Sequence, residues 1–333
     1  MKTTRRSPVA GAGPRLPCPQ DGAAVLEPSP ALAGIDTVRR RYAGLLARAE
    51  GVRPGGALPG GALPPYLCGR LNHGRWPAGP PGSEMLGCAD ASLVEFGTGA
   101  LRLRYATGLS PDVMRELNLP GYRTVLPGPR TTARLTEAVD TLPELSPWAA
   151  AVVGDFVGAV VLLKPRPDLA PLGETMSSCS FASLPFTVFL TGLGLHRLPP
   201  GFMFTEPSVY SLQESLLHEA LLLWLNEAER VAAPFSGARD RATKVYVSWH
   251  NEWWSAGGCL RELFVYAHLP ALRAAALERT SGPRAALLEE ALRSADACAR
   301  ELLHSLTARR ELFTPTGREL LADLGRLLPR RCS

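Results

Sequence analysis

The chain has no C-x-x-C pair, glycine-rich phosphate loop, dinucleotide fingerprint or zinc-finger spacing in its 333 residues, so the sequence signals of nucleotide-dependent and structural-zinc chemistry are missing. Long apolar runs are missing too. The longest, 148–163, is broken by Gly154, Asp155 and Gly158 and is too short to span a bilayer. Lys2, Arg5 and Arg6 are followed by Pro8, Gly11, Gly13 and Pro14 instead of an apolar stretch, so no secretory signal is expected. Seven cysteines (Cys18, Cys68, Cys88, Cys179, Cys259, Cys298 and Cys332) cannot all pair, and reduced thiols in a cytoplasm are the simplest reading. The net charge of +5, mostly arginine, is too diffuse to argue for nucleic acid and is compatible with weak attraction to an acidic peptide. A cytoplasmic protein without membrane or nucleic-acid partners is expected.

With 46% hydrophobic and 20% charged residues, the chain can bury a full core in one large domain or two modest ones. Its 32 glycines and 31 prolines crowd into the first quarter. Residues 1–85 therefore read as a largely irregular segment, with 1–33 lacking any apolar period and 51–82 broken only by Tyr66, Leu67 and Cys68. Between them, 36–50 forms a short basic helix with Val38, Tyr42, Leu45 and Leu46 on one stripe. The globular domain is expected over 86–330, and no fixed-period repeat occurs.

Within that domain Leu101, Leu103 and Tyr105 alternate with arginines as in a half-buried strand. Ser110-Pro111-Asp112 opens a helical turn, 130–142 is a longer helix, and Ser146-Pro147-Trp148 starts another through a cap followed by proline. Apolar strands are predicted at 159–163, 186–191 and 244–249. The remainder is helical: 260–277, which Pro270 should kink or divide, then a helix from Pro283 with an apolar face through Leu306, then one from Thr314-Pro315. The fold class is α+β and mainly helical, with a small sheet beside a central helix.

That central helix carries Leu216-Leu217-His218-Glu219-Ala220-Leu221-Leu222. Ser211-Leu212-Gln213-Glu214 before it has the form of a capping box. In the intact pattern H-E-x-x-H, two histidines one turn apart bind a metal while the glutamate acts as base or orienter. The second histidine is here Leu222.

Further segments accompany this helix: the serine-rich 177–183 before an apolar strand, Ser248-Trp249 at a strand end, a helix containing Leu260-Arg261-Glu262-Leu263 and Tyr266-Ala267-His268, and Phe313-Thr314-Pro315-Thr316-Gly317 between the closing helices. Over roughly residues 145–328 the order resembles the HExxH-motif peptide-modification proteins of ribosomal peptide clusters, some of which are 2-oxoglutarate-dependent peptide β-hydroxylases. The resemblance implies a tailoring protein acting on a precursor peptide. It further implies Fe(II) held by the motif histidines and a residue of the later helix, with an arginine for the oxoglutarate carboxylate. His218 and Glu219 match, and Leu222 does not. The later-helix ligand aligns with Arg261 or, in another register, with His268, and an arginine common after the tryptophan is His250 here.

Leucine has no lone pair, and a non-haem iron site needs about three protein ligands. One reading is a replacement site of His218, His250 and His268 with Glu219 as the catalytic or orienting carboxylate and Arg261 as the cofactor clamp, using Fe(II) and 2-oxoglutarate. The other is a metal-free pseudoenzyme, using no cofactor, in which His218 and Glu219 persist as a satisfied core pair and the protein holds a precursor peptide or an intact partner enzyme. A zinc peptidase is weaker, since it too needs the missing histidine. Arg261 stands equally as an anion clamp or a solvated helix charge. The aromatics of 249–254 form a peptide groove or pack a loop over the core, and Cys259 is a structural thiol before it is a nucleophile.

Overall fold

Two of the apolar runs pair side by side. In the computed structural model, which describes residues 93–99, 101–106, 109, 114–115, 117–166, 176–181 and 184–328, β4 (Ala159–Pro165) and β6 (Leu184–Leu190) lie parallel, with Val160 opposite Val188. Around them the sheet takes the order β1 (Leu93–Phe96), β2 (Leu103–Ala106), β4, β6, β5 (Ser178–Phe181), and β3 (Tyr122–Thr124) pairs with the end of β4. β2 runs parallel to β4, whereas β1, β3 and β5 pair antiparallel to their neighbours. Residues 159–163 can be apolar throughout because both faces of the sheet are covered. Val160 and Leu162 enter the main core with the helices, while Ala159, Val161 and Leu163 meet Met114, Leu117, Leu119 and Phe189 on the other side. The α+β, mainly helical architecture read from the sequence is the one observed.

The helices are α1 (Pro129–Leu145), α2 (Pro147–Phe156), α3 (Val209–Val231), the short α4 (Ala238–Ala242), α5 (Ala256–Glu278), α6 (Pro283–Thr307) and α7 (Pro315–Leu327). The proline-preceded starts are where their caps put them: Ser146 Oγ accepts from the Ala149 amide at 3.2 Å, and Thr314 Oγ1 from the Gly317 amide at 3.1 Å. α3 is the core helix. Between 211 and 228 every residue is buried except His218, so the helix is enclosed all round, as its leucine-rich sequence requires. Trp224 on it is fully buried between Phe156, stacked at 5.8 Å, and Phe264, edge-on at 5.8 Å.

Four expectations are corrected. The capping box is not formed: α3 begins a turn earlier, with Ser208 Oγ accepting from the Ser211 amide, and Glu214 turns into the core to meet Arg273. Of the two outcomes expected at Pro270, division of the helix does not occur. α5 runs through it, because burial of Leu263 to Leu269, Leu272 and Arg273 against α3 and α6 holds both halves, offsetting the missing hydrogen bond. The strand at 244–249 ends at Val247 (β9, Lys244–Val247) and returns as β10 (Glu252–Ser255) through a turn in which Asn251 takes φ 53°, a left-handed conformation asparagine tolerates. Finally, the serine-rich 178–181 is itself a strand, β5. The helix expected at 36–50, the irregular stretches of 1–85 and the turn at Ser110-Pro111-Asp112 lie outside the described residues. Among those residues no helix is long and apolar enough to cross a membrane.

Candidate functional site

His218 is the one partly exposed residue in the buried span of α3 because a cavity of about 210 Å³ opens beside it. Five segments line it. Ser215, His218 and Glu219 come from one face of α3, since residues three and four apart share a face. Glu262 and Tyr266, one turn apart, come from α5 by the same spacing. β5 and its approach add Ser177 and Ser178, and the β9–β10 hairpin adds His250 and Trp254. The short hairpin of β7 (Arg197–Leu198) and β8 (Phe202–Met203) adds Arg197, Pro199 and Pro200.

The pair at the centre is half-satisfied. Ser178 Oγ donates to Glu219 Oε1 at 2.7 Å, yet Glu219, only 2% exposed, has no partner for Oε2 among the described residues. Nor does His218 Nδ1. The carboxylates make this corner negative. Burial and then the charge of Glu219 push the Cys179 thiol up to about 12, and burial followed by the charge of Glu262 holds the Tyr266 hydroxyl well above its ordinary value. Ser178 was not singled out from the sequence, because a strand serine has no local signature. Glu262, the neighbour of Arg261, reaches the cavity one turn before Tyr266.

Of the residues named from the sequence, His218, Glu219 and His250 meet at the cavity. His250 is exposed on the hairpin turn, its ring 4.8 Å from Trp254. His268 does not line the cavity. Two residues beyond Tyr266 it lies about 200° round the helix, fully buried and stacked on Trp148 at 5.6 Å, with Nδ1 2.7 Å from the Phe264 carbonyl. Burial lowers its pKa to about 4. Arg261, half-buried, donates from Nη1 to Asn226 Oδ1 at 2.9 Å and does not line the cavity. Leu222 is buried, 7% exposed. Among the described residues no group of three or more His, Cys, Asp or Glu side chains is placed to hold a metal ion. Leu222 offers no lone pair and His268 turns away from the cavity, so the replacement arrangement of His218, His250 and His268 is not formed.

Behind the cavity lies a second polar assembly. Arg273, seven residues after Tyr266 on the same face of α5, is fully buried against an equally buried Glu214, with Nε 3.0 Å from Oε2 and Nη2 on Oε1. Tyr210 donates to Glu214 Oε2 at 2.7 Å, and Arg273 also donates to the carbonyls of Ala291 and of Pro199, the residue lining the cavity. Burial works against the arginine's charge, and the charge and hydrogen bonds of Glu214 more than offset it, leaving its pKa raised. The pair thus anchors the 199–200 wall from below.

The aromatic stretch divides. Trp249 and Trp254 pack partly against the core, whereas Trp253, 60% exposed, lies tilted against the exposed Tyr246 with ring centroids 5.4 Å apart. Cys259 is buried and its thiol is pushed up to about 11 by burial, as befits a structural thiol. Compared with protein families and with curated proteins, the chain matches none.

Proposed function

We propose that this protein is a metal-free peptide-binding member of the HExxH type, holding a segment of a ribosomally made precursor peptide at the cavity beside His218 without oxidising it. The observation that supports the reading is that two residues lining one cavity each keep a polar atom, His218 Nδ1 and Glu219 Oε2, with no partner among the described residues. Buried polar atoms of that kind are costly unless a ligand or water completes them. The half-buried Trp254 and exposed His250 at the same cavity supply flat surface for a chain lying across it.

The test is anaerobic loading of the untagged full chain with Fe(II), desalting and metal analysis, in parallel with His218→Ala, followed by binding of N-acetylated random heptapeptide mixtures read by tryptophan fluorescence. Expected are far less than about one iron per chain in both proteins and saturable peptide binding that His218→Ala weakens. Retention of about one iron per chain, lost in the variant, would return the site to hydroxylase chemistry. Absence of any peptide binding would end the peptide reading.

A further inference from the structure

The cavity's chemistry narrows what can enter it. Its volume of about 210 Å³ is below the roughly 300 Å³ at which drug-sized sites begin, so it takes the end of one side chain and not a folded segment. Two carboxylates, Glu219 and Glu262, line it, and Glu219 is nine-tenths buried with Oε2 turned to no donor among the described residues. A buried carboxylate oxygen is completed best by a cationic N–H, whose charge-assisted bond is about twice as strong as a neutral one. His218 Nδ1 provides a further site for an N–H in the tautomer that carries its proton on Nε2. Trp254 and Tyr266 line the cavity beside the carboxylates, and aromatic rings favour a cation and the apolar stem behind it. Arg197, the cation that also lines the cavity, already has interactions of its own.

Resting on the peptide reading above, we infer that the cavity is a recognition pocket for an ammonium or guanidinium head, the tip of a lysine or arginine side chain of the bound peptide, held by Glu219 and Glu262. The ligand is bound, and no covalent step takes place. The unpaired Glu219 Oε2 accepts one N–H, Glu262 a second, and Ser178 keeps Glu219 in place from the opposite oxygen.

The experiment uses the full chain and three small probes: n-butylammonium for the lysine head, n-propylguanidinium for the arginine head and n-butanol as the neutral control. Binding is read by saturation-transfer NMR and tryptophan fluorescence. At least one cation should bind saturably, about tenfold or more tighter than n-butanol, and Glu219→Gln and Glu262→Gln should each weaken it about tenfold. Which cation binds tighter distinguishes the two side chains. Equal binding of n-butanol, or wild-type cation affinity in both variants, overturns the inference. Thermal unfolding of each variant checks its fold, and Glu262→Gln, at a half-buried position, decides the matter if Glu219→Gln does not fold. The heptapeptide mixtures separate this inference from the reading it rests on. Peptide binding indifferent to lysine and arginine, with no cation bound, removes the cation pocket alone. Cation binding without peptide binding removes the peptide reading and leaves the pocket.

Discussion

At the scale of single residues, His268 shows how burial decides a histidine's role. Its ring sits among Trp148, Trp224 and Phe264, and its pKa falls from an ordinary 6.5 to about 4 because no water reaches the charged form. Between those two values the unfolded chain binds a proton that the folded chain does not, so stability falls as pH drops from 6.5 towards 4 and the effect levels off below. The full loss is roughly 3 kcal/mol. Urea unfolding at pH 7 and pH 4.5 should show wild type losing more stability than His268→Phe, which keeps an aromatic ring and removes the titrating nitrogen. Parallel losses would exclude His268 as the source. The same residue marks where reading the sequence failed. His218 and Glu219 stand out by their motif and His250 by the resemblance, and the three line one cavity, whereas choosing among Arg261, Glu262, Tyr266 and His268 depends on which face of α5 turns inward. A shift of one residue turns the side chain by about 100°, and a helix that is apolar almost all round gives no local sign of its phase.

Among the elements, α7 docks where a side chain would not fit. A Cβ on Gly317 would lie 2.0 Å from the Pro234 carbonyl oxygen, while Thr314 holds the same strand of chain through its amide to Pro234 at 3.0 Å and its hydroxyl to Ala233 at 2.8 Å. Alanine's helix propensity favours the substitution by only about 1 kcal/mol. Gly317→Ala is therefore expected to destabilise by about 2–4 kcal/mol through forced displacement of the helix start. Gly325→Ala, whose Cβ would meet only the mobile end of Leu303 at 3.2 Å, should stay within about 1 kcal/mol of wild type. Equal unfolding midpoints for the two variants would refute the close-approach argument. The starts of α2 and α7 were readable because the caps Ser146-Pro147 and Thr314-Pro315 act within one turn. β5 and β10 were not, since a polar or aromatic strand is defined by the neighbour it pairs with, β6 and β9 here, and that neighbour is named by topology.

Across the whole molecule, the Arg273–Glu214 pair ties α3, α5, α6 and the 199–200 segment at one buried point. Removing one partner leaves the other charged and dry. Arg273→Met should cost about 3–5 kcal/mol, and the double variant Glu214→Leu/Arg273→Met should cost clearly less than the sum of the two single changes. A double-mutant cycle in urea measures this, and simple additivity would mean that the two charges do not depend on each other. For the history of such a chain, this makes the pair a ratchet. Random drift cannot exchange either charge alone without passing through a form too unstable to persist, and Tyr210, which donates to the same carboxylate, is drawn into the same constraint. Descendants of this sequence should keep all three or have lost them together, however freely the cavity above them has changed its chemistry.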